Sequence, residues 1–158
     1  MTNMPNVTIY TDGSFIKERH GEKINPGGYA GLMECGSYRQ IVYGDVMHTT
    51  INKMELTAVL ACLRLLTTAC NVHIVSDSQY VVFGITRWLN NWVRNDWIST
   101  HKRKEIANVE LWQEIHMHLQ YHHVTAEWQR GHNGHEQNEI ADWFAQVAAR
   151  GLYAQYHN

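Results

Sequence analysis

The sequence predicts an α/β protein with one five-stranded mixed sheet: three antiparallel strands come first, parallel strands are added later, and helices cover both faces. Alternating apolar residues at Val7–Tyr10 and on both sides of the Gly36-Ser37 pair are typical of antiparallel strands joined by tight turns. Further along, short apolar runs alternate with helical patterns, as in parallel strands joined by helices. A length of 158 residues predicts a single domain spanning 1–158.

The predicted elements follow the order β-β-β-α-β-α-α-α-β-α. The two strands after Val7–Tyr10 lie between Gly27 and Val46. The first helix is predicted at Thr49–Thr67, where Leu56, Val59, Leu60 and Leu63 recur on one face. The remaining elements are a strand at Val72–Val75, a helical pattern at Tyr80–Trp92, a helix at Asn108–Tyr121, a strand at Val124–Trp128 and a helix at Glu136–Arg150. The pattern at Tyr80–Trp92 stands for two helices in this order, because Ile85, Trp88, Leu89 and Trp92 continue a helical apolar face towards the basic segment.

Composition limits the class of protein. No apolar run approaches the ~20 residues of a membrane span, and the polar start Met1–Asn6 has no secretory pattern. We therefore expect a cytoplasmic protein without a membrane partner. Three cysteines, Cys35, Cys62 and Cys70, are an odd number without metal-type spacing, so we expect all three to be reduced. The formal net charge of −2 gives no overall basic signal for nucleic acid.

Four carboxylates stand on four different predicted elements: Asp12, Glu55, Asp77 and Asp142. Carboxylate oxygens are the ligands that Mg²⁺ prefers, and two such ions can drive phosphodiester hydrolysis. Four converging carboxylates without metal would raise one another's pKa values. Each also has an ordinary interpretation: a turn at Asp12-Gly13, a match to the helix dipole at Glu55, and a helix N-cap at Asp77. The sequence alone does not show that they converge.

The densest positive segment runs from Arg87 to Lys104 and contains Trp88, Trp92 and Trp97. Cations interleaved with aromatic rings suit a phosphate backbone and its sugars. The alternative is a solvated pair of helices anchored by tryptophan.

The chain closely resembles type 1 ribonuclease H of the bacterial kind, from about Val7 to Ala149. The matching stretches are Thr11-Asp12-Gly13-Ser14, Thr49 to Leu56, Ser76 to Val81, Gly84-Ile85-Thr86 with Trp88, Asn91 and Trp92, Asn108-Val109 with Leu111-Trp112, Gly131-His132 with Gly134-His135, and Asn138-Glu139. The resemblance implies a ribonuclease H-like fold and an endonuclease that cuts the RNA strand of RNA–DNA hybrids, leaving 5′-phosphate and 3′-hydroxyl ends. It also implies a monomer.

The resemblance assigns roles to individual residues. It implies that two Mg²⁺ ions, with Mn²⁺ as an alternative, bind with substrate to Asp12, Glu55, Asp77 and Asp142, with Asp12 between the two ions. It makes His132 the catalytic loop histidine; its imidazole titrates near neutral pH. The implied contacts to the hybrid substrate are Gly13, Thr50, Asn52, Gln79, Arg87, Trp88, Asn91, Trp92, Arg94, Lys102, Arg103, Lys104 and Asn108.

The chain departs from the family pattern in three places. The loop from Phe15 to Asn25 is longer and more charged, Ile51 stands where the family usually has Asn, and Phe83 stands where a polar residue is common. The basic segment is also less rich in lysine. We therefore predict weaker, salt-sensitive substrate binding with unchanged chemistry.

Three alternatives stay open at this point. One is a catalytically silent module that binds hybrids, and another is a different nuclease of the same broad fold, such as a Holliday-junction resolvase or an exonuclease. The third is a zinc or nickel site at His116, His118, His122 and His123, which is disfavoured because residues i and i+2 of a helix do not share a face.

Overall fold

The computed structural model describes residues 3–17, 24–99, 101 and 103–157. The strands are β1 (Asn6–Phe15), β2 (Gly27–Cys35), β3 (Tyr38–Val46), β4 (Asn71–Ser76) and β5 (His123–Trp128). They form one sheet in the order β3-β2-β1-β4-β5. β1–β2 and β2–β3 are antiparallel, whereas β1–β4 and β4–β5 are parallel. The predicted mixed sheet is confirmed.

The helices also follow the predicted order. They are α1 (Ile51–Leu63), α2 (Gln79–Phe83), a π-helical segment (Gly84–Trp88), α3 (Leu89–Arg94), α4 (Val109–Tyr121) and α5 (Glu136–His157). α1 ends before the predicted Thr67, because the N–H groups of Leu65 and Leu66 bond carbonyls three residues back and tighten the chain into turns. α5 continues beyond the predicted Arg150, and its added turns bury Leu152.

Two glycines in β2 show how helices α1 and α5 cover the sheet. A side chain at Gly28 would lie 2.0 Å from the carbonyl oxygen of Ala145 in α5. A side chain at Gly31 would lie 2.2 Å from the Cys62 sulfur in α1. Residues three apart in a strand point to opposite faces, so α1 and α5 pack on opposite faces of the sheet, as predicted.

One boundary matters for the candidate site. The sequence places Asp12 after the first strand, but β1 continues to Phe15, and this prediction is wrong. β2 pairs with β1 as far as Phe15, whereas β4 pairs with it only as far as Thr11. Asp12 therefore lies inside a strand, at the point where the parallel neighbour β4 ends, and Asp77 follows directly after that end.

Two further expectations concern the whole chain. All three cysteines are free, with Cys35 exposed and the other two buried, as predicted. Within the described part of the chain, no helix combines the length and apolar character needed to cross a bilayer. Of the long loop after Phe15, residues 18–23 lie outside the described residues; at its two ends, the Ile16 N–H donates to the Pro26 carbonyl at 2.9 Å.

Candidate active site

Three of the predicted carboxylates meet at one edge of the sheet. Oxygen atoms of Asp12 in β1, Glu55 in α1 and Asp77 after β4 lie within 4.8 Å of one another. Asp12 is 6% exposed and Glu55 is 5% exposed, while Asp77 is partly exposed. Residues far apart in the sequence are thus brought together into an acidic cluster that is largely shielded from water.

Local structure in α1 explains the position of Glu55. Thr50 is the N-cap, and its hydroxyl accepts a hydrogen bond from the Lys53 N–H at 3.2 Å. The helix lies against β1 because position 13 is glycine: a side chain there would lie 2.8 Å from the Glu55 nitrogen. Glu55 consequently faces inward, and its interpretation as a solvated partner of the helix dipole is wrong.

Asp77 is available for the site because its neighbour caps the following helix. The Ser78 hydroxyl accepts from the Val81 N–H at 3.2 Å, so Ser78 and not Asp77 is the N-cap of α2. The Asp77 carbonyl accepts from the Trp128 indole at 2.9 Å. A side chain at Gly131 would lie 2.7 Å from the Asp77 carboxylate. Glycine at this loop position therefore lets the loop approach the acidic cluster.

Asp142 and His132 border the same cluster. Together with Asp12, Asp77 and Gly131 they line a narrow cavity beside the α5 N-terminus. The Nδ1 atom of His132 lies 4.0 Å from Oδ2 of Asp142, and the imidazole is 81% exposed. The same Oδ2 accepts from the Gln146 amide at 2.9 Å, a contact that the sequence analysis missed. The i,i+4 spacing of Asp142 and Gln146 is the signal that could have indicated it.

The electrostatics of the cluster favour a cation. Burial, with the charges of Glu55 and Asp77, raises the pKa of Asp12 to about 10. Burial and Asp77 raise the pKa of Glu55 to about 8, and burial raises the pKa of Asp77. Oε2 of Glu55 is buried without a hydrogen-bond partner. A buried oxygen without a partner, among three carboxylates that repel one another, fits an oxygen-preferring divalent cation.

The predicted substrate residues in the basic segment form an aromatic surface. Trp88, Asn91 and Trp92 line one cavity, and the two indole rings lie 5.9 Å apart. Arg94 donates to the Asn91 side-chain oxygen at 2.5 Å. The Arg87 guanidinium lies 4.1 Å above the Phe83 ring. Phe83, one of the departures from the family pattern, thus makes a cation–π contact with Arg87, a predicted substrate-binding residue.

Asn108 is held by a residue that the sequence analysis did not single out. It is the N-cap of α4 in a left-handed conformation (φ 58°), but its side chain makes no cap hydrogen bond. Its amide instead donates to the Tyr80 hydroxyl at 3.1 Å, and the Trp112 indole donates to the same oxygen at 2.9 Å. The sequence signal that could have indicated this contact is the pair of aromatic residues Tyr80 in α2 and Trp112 in α4. Tyr80 therefore connects α2 to the start of α4.

The remaining predicted contacts occupy exposed positions. Asn52 lies in the first turn of α1 and Gln79 begins α2, close in sequence to Glu55 and Asp77 respectively. Arg103 and Lys104 are exposed on the turn after α3, and Arg103 has a left-handed conformation with φ 52°. Lys102 lies outside the described residues.

The four histidines considered for a zinc or nickel site do not form a metal-binding group in the described part of the chain. The ring of His116 lies 6.1 Å from that of Trp97, and His118 stacks on His122 at 6.1 Å. Among the residues that the structure describes, the acidic triad is the one group of three or more side chains at metal-binding separations.

Comparison with known proteins identifies the family. The sequence model described as RNase H matches residues 4–150. The chain belongs to the ribonuclease H family. It is 40% identical to the Ribonuclease H of Chromohalobacter salexigens over 96% of this chain and 89% of that protein. It is 41% identical to the Ribonuclease H of Bradyrhizobium diazoefficiens over 92% of this chain and 90% of the relative.

Solved ribonuclease H structures agree with this membership. The crystal structure of LC9-RNase H1, described as a type 1 RNase H with the type 2 active-site motif, has 34% identity and a TM-score of 0.83, and the match covers 96% of this chain and 75% of that one. LC11-RNase H1 in complex with RNA/DNA hybrid has 18% identity and a TM-score of 0.63, covers 93% of this chain and 99% of that one, and shows the fold alone. The prediction of a type 1 ribonuclease H, a hydrolase acting on RNA in hybrids, is confirmed.

Proposed function

We propose that this ribonuclease H hydrolyses the RNA strand of RNA–DNA hybrids with two divalent metal ions, leaving 5′-phosphate and 3′-hydroxyl ends. The observation that carries this proposal is the acidic triad, whose oxygens lie within 4.8 Å of one another. A buried cluster of like charges is costly to fold unless a cation neutralises it. A centre that holds divalent metal ions is well suited to hydrolysis of a phosphodiester bond.

The metal ligands in this proposal are Asp12, Glu55, Asp77 and Asp142, and Mg²⁺ is the preferred ion, with Mn²⁺ as the alternative. Held by these residues, the ions would supply a more acidic attacking water and stabilisation of negative charge on the leaving oxygen. The charges of Glu55, Asp77 and Asp142 all act on Asp12. Asp12 would therefore be a central member of the ligand set that holds the ions.

The chain's own groups orient these carboxylates and move protons. The Gly13 N–H donates to Oδ1 of Asp12 at 2.9 Å and holds that side chain in the strand. His132 is exposed and lies 4.0 Å from the Asp142 carboxylate. An imidazole in this position can carry a proton between the reacting phosphate and solvent.

The hybrid is proposed to lie across the acidic cluster and the aromatic surface. Exposed Asn52 and Gln79 are close in sequence to Glu55 and Asp77, and their amides are suited to hydrogen bonds with 2′-hydroxyls, which distinguish RNA from DNA. Trp88 and Trp92 offer ring faces, and Asn91 and Asn108 offer neutral donors for a DNA phosphate. Arg87, Arg94, Arg103 and Lys104 supply positive charge along the same segment.

We propose that one copy of the chain is sufficient, because all of the assigned groups come from a single chain. A monomeric, single-domain enzyme follows from this arrangement. Three free cysteines, one of them exposed, suit the reducing cytoplasm.

The test is cleavage of an end-labelled RNA–DNA hybrid with Mg²⁺ and with EDTA, beside double-stranded DNA, double-stranded RNA and single-stranded RNA. We expect cuts in the RNA of the hybrid only, lost in EDTA, with 5′-phosphate ends. Asp45→Asn, which changes an exposed carboxylate on β3, is the matched control for Asp12→Asn. Binding of the hybrid without any cleavage would instead identify a silent binding module.

A further inference from the structure

One row of side chains on α5 leads from the helix middle to the acidic cluster. Asp142, Gln146 and Arg150 are spaced at i, i+4 and i+8, so they lie on one face of the helix. Arg150 donates to Oε1 of Gln146 at 2.9 Å, and the Gln146 Nε2 donates to Oδ2 of Asp142 at 2.9 Å. The row thus ends on a carboxylate that borders the candidate active site.

The two ends of the row determine how the glutamine amide points. A guanidinium has donors and no acceptor, while an ionised carboxylate has acceptors and no donor. Gln146 satisfies both neighbours only with its oxygen toward Arg150 and its nitrogen toward Asp142. The reverse orientation would place donor against donor and acceptor against acceptor. Arg150 therefore keeps the Gln146 amide in the orientation that donates to Asp142.

Asp142 needs such support more than the two buried carboxylates. Asp12 and Glu55 are enclosed by the fold, whereas the Asp142 side chain is 28% exposed and stands on a helix surface. The His132 imidazole lies 4.0 Å from the same oxygen that Gln146 binds and is itself 81% exposed. The Gln146 amide donates to this oxygen from the same helix and thereby restricts rotation of the carboxylate.

We propose that Gln146 is a positioning residue that orients Asp142 for divalent-metal binding, and that Arg150 sets the orientation of Gln146. This inference rests on the proposed function, because it assigns Asp142 to the metal centre. The competing interpretation is an ordinary pair of surface contacts along a helix, which stabilises the helix slightly and has no effect on metal binding.

The decisive measurement is Mg²⁺ binding to the full-length protein by isothermal titration calorimetry, beside the Mg²⁺ concentration that gives half-maximal cleavage. In Gln146→Leu we expect both to weaken by about 10-fold, the range for loss of a group that orients a metal ligand. Maximal cleavage at saturating Mg²⁺ and the hybrid KM stay within about two-fold. Gln113→Leu, an exposed glutamine on α4, is the matched control and leaves Mg²⁺ binding unchanged.

Arg150→Met tests the second half of the proposal. Freed from Arg150, the amide can rotate, and we expect Mg²⁺ binding to weaken about two- to three-fold, less than in Gln146→Leu. In the Gln146→Leu background, Arg150→Met causes no further loss, because its effect passes through the missing amide. If Arg150→Met instead raised the hybrid KM in both backgrounds, with a change in salt dependence, Arg150 would be a phosphate contact and this half would be overturned.

Two outcomes separate failure of this inference from failure of the proposed function. Loss of cleavage in Asp142→Asn, with normal Mg²⁺ binding in Gln146→Leu, would overturn only the positioning role. Full Mg²⁺-dependent cleavage in Asp142→Asn would remove Asp142 from the proposed metal centre, and the role of Gln146 would fall with it. Circular dichroism of the metal-free variants establishes that each one is folded.

Discussion

The acidic centre (Asp12, Glu55, Asp77 and Asp142) and the aromatic-basic segment (residues 83–108) are built in opposite ways. The acidic centre draws its four residues from four separate parts of the chain, and its two most enclosed carboxylates are 5–6% exposed. The aromatic-basic segment is continuous in sequence and presents most of its charged and aromatic groups to solvent. The first depends on the whole fold, and the second depends mainly on local structure.

The two regions also differ in the regularity of their backbone. Three residues of the acidic centre stand on regular elements, β1, α1 and α5, and Asp77 directly follows β4. The aromatic-basic segment contains a π-helical stretch, Gly84–Trp88, and left-handed residues at Asp96, Trp97, Arg103 and Asn108. Like charges can be held together only by a scaffold that resists their repulsion. Contact with a phosphate backbone needs exposed cations and ring faces, for which irregular structure is sufficient.

The largest effect is expected from Asp12→Asn, which breaks the acidic centre and leaves the aromatic-basic segment intact. Cleavage of the hybrid should fall at least about 10³-fold, as when one member of a catalytic unit is removed. Binding of uncleaved hybrid, measured by fluorescence anisotropy, should change by less than about two-fold. Cleavage within ten-fold of the wild type would contradict the assignment of Asp12.

The next effect is the pH dependence of stability in the metal-free protein. Folding raises the pKa of Asp12 from 3.8 to about 10 and that of Glu55 from 4.5 to about 8. The native state therefore binds more protons than the unfolded state, and these groups stabilise it fully below about pH 4 and lose that contribution as pH rises toward 8 and 10. Urea unfolding in EDTA should give a lower free energy of unfolding at pH 8.5 than at pH 5.5.

Between pH 5.5 and 8.5 the free energy of unfolding should fall by about 1 to 3 kcal/mol, within the range of single buried-charge effects. Asp12→Asn should flatten the pH dependence, because it removes the repelled charge. Mg²⁺ should restore stability most at the higher pH, where the carboxylates are ionised. A free energy of unfolding that rises between pH 5.5 and 8.5 would show that the carboxylates do not repel one another as described.

Arg87→Ala with Arg94→Ala breaks the other side of the comparison. We expect the hybrid KM to rise about 10-fold with kcat nearly unchanged, because these cations contribute to binding and not to the reaction. Each lost phosphate contact should lower the slope of log affinity against log salt by about 1. Arg39→Ala is the control, since Arg39 is paired with Glu34 on β2 at 2.6 Å. A fall in kcat alone would contradict the division between the two regions.

The smallest effect is expected from Tyr80→Phe, which keeps the ring and removes the hydroxyl that accepts from Asn108 and Trp112. The hybrid KM should rise about three-fold, and the free energy of unfolding should fall by about 1 kcal/mol for the lost hydrogen bonds. In an Asn108→Ala background the change in KM should disappear. A KM increase of the same size in both backgrounds would mean that Tyr80 does not act through Asn108.

Much of the candidate site follows from residue types and motif order, since the resemblance assigned Asp12, Glu55, Asp77, Asp142 and His132 before any geometry was known. Periodicity also placed the strands and helices, because apolar spacing reflects which face is buried. The length of β1 was harder to predict from the sequence. The extension of β1 through Asp12 depends on pairing with β2, a partner that lies elsewhere in the chain.

The element order, the family and the chemical character of both regions can be inferred from the residues, because they depend on local periodicity and on residue identity. Only the folded chain shows that three carboxylates come within 4.8 Å of one another, that Ser78 caps α2 in place of Asp77, and that Tyr80 and Gln146 hold residues of the site. Each of these is a contact whose distance is set by how elements pack or how a helix begins. Spacing in the sequence indicates which side chains are able to meet, whereas the packed fold sets the distances at which they do.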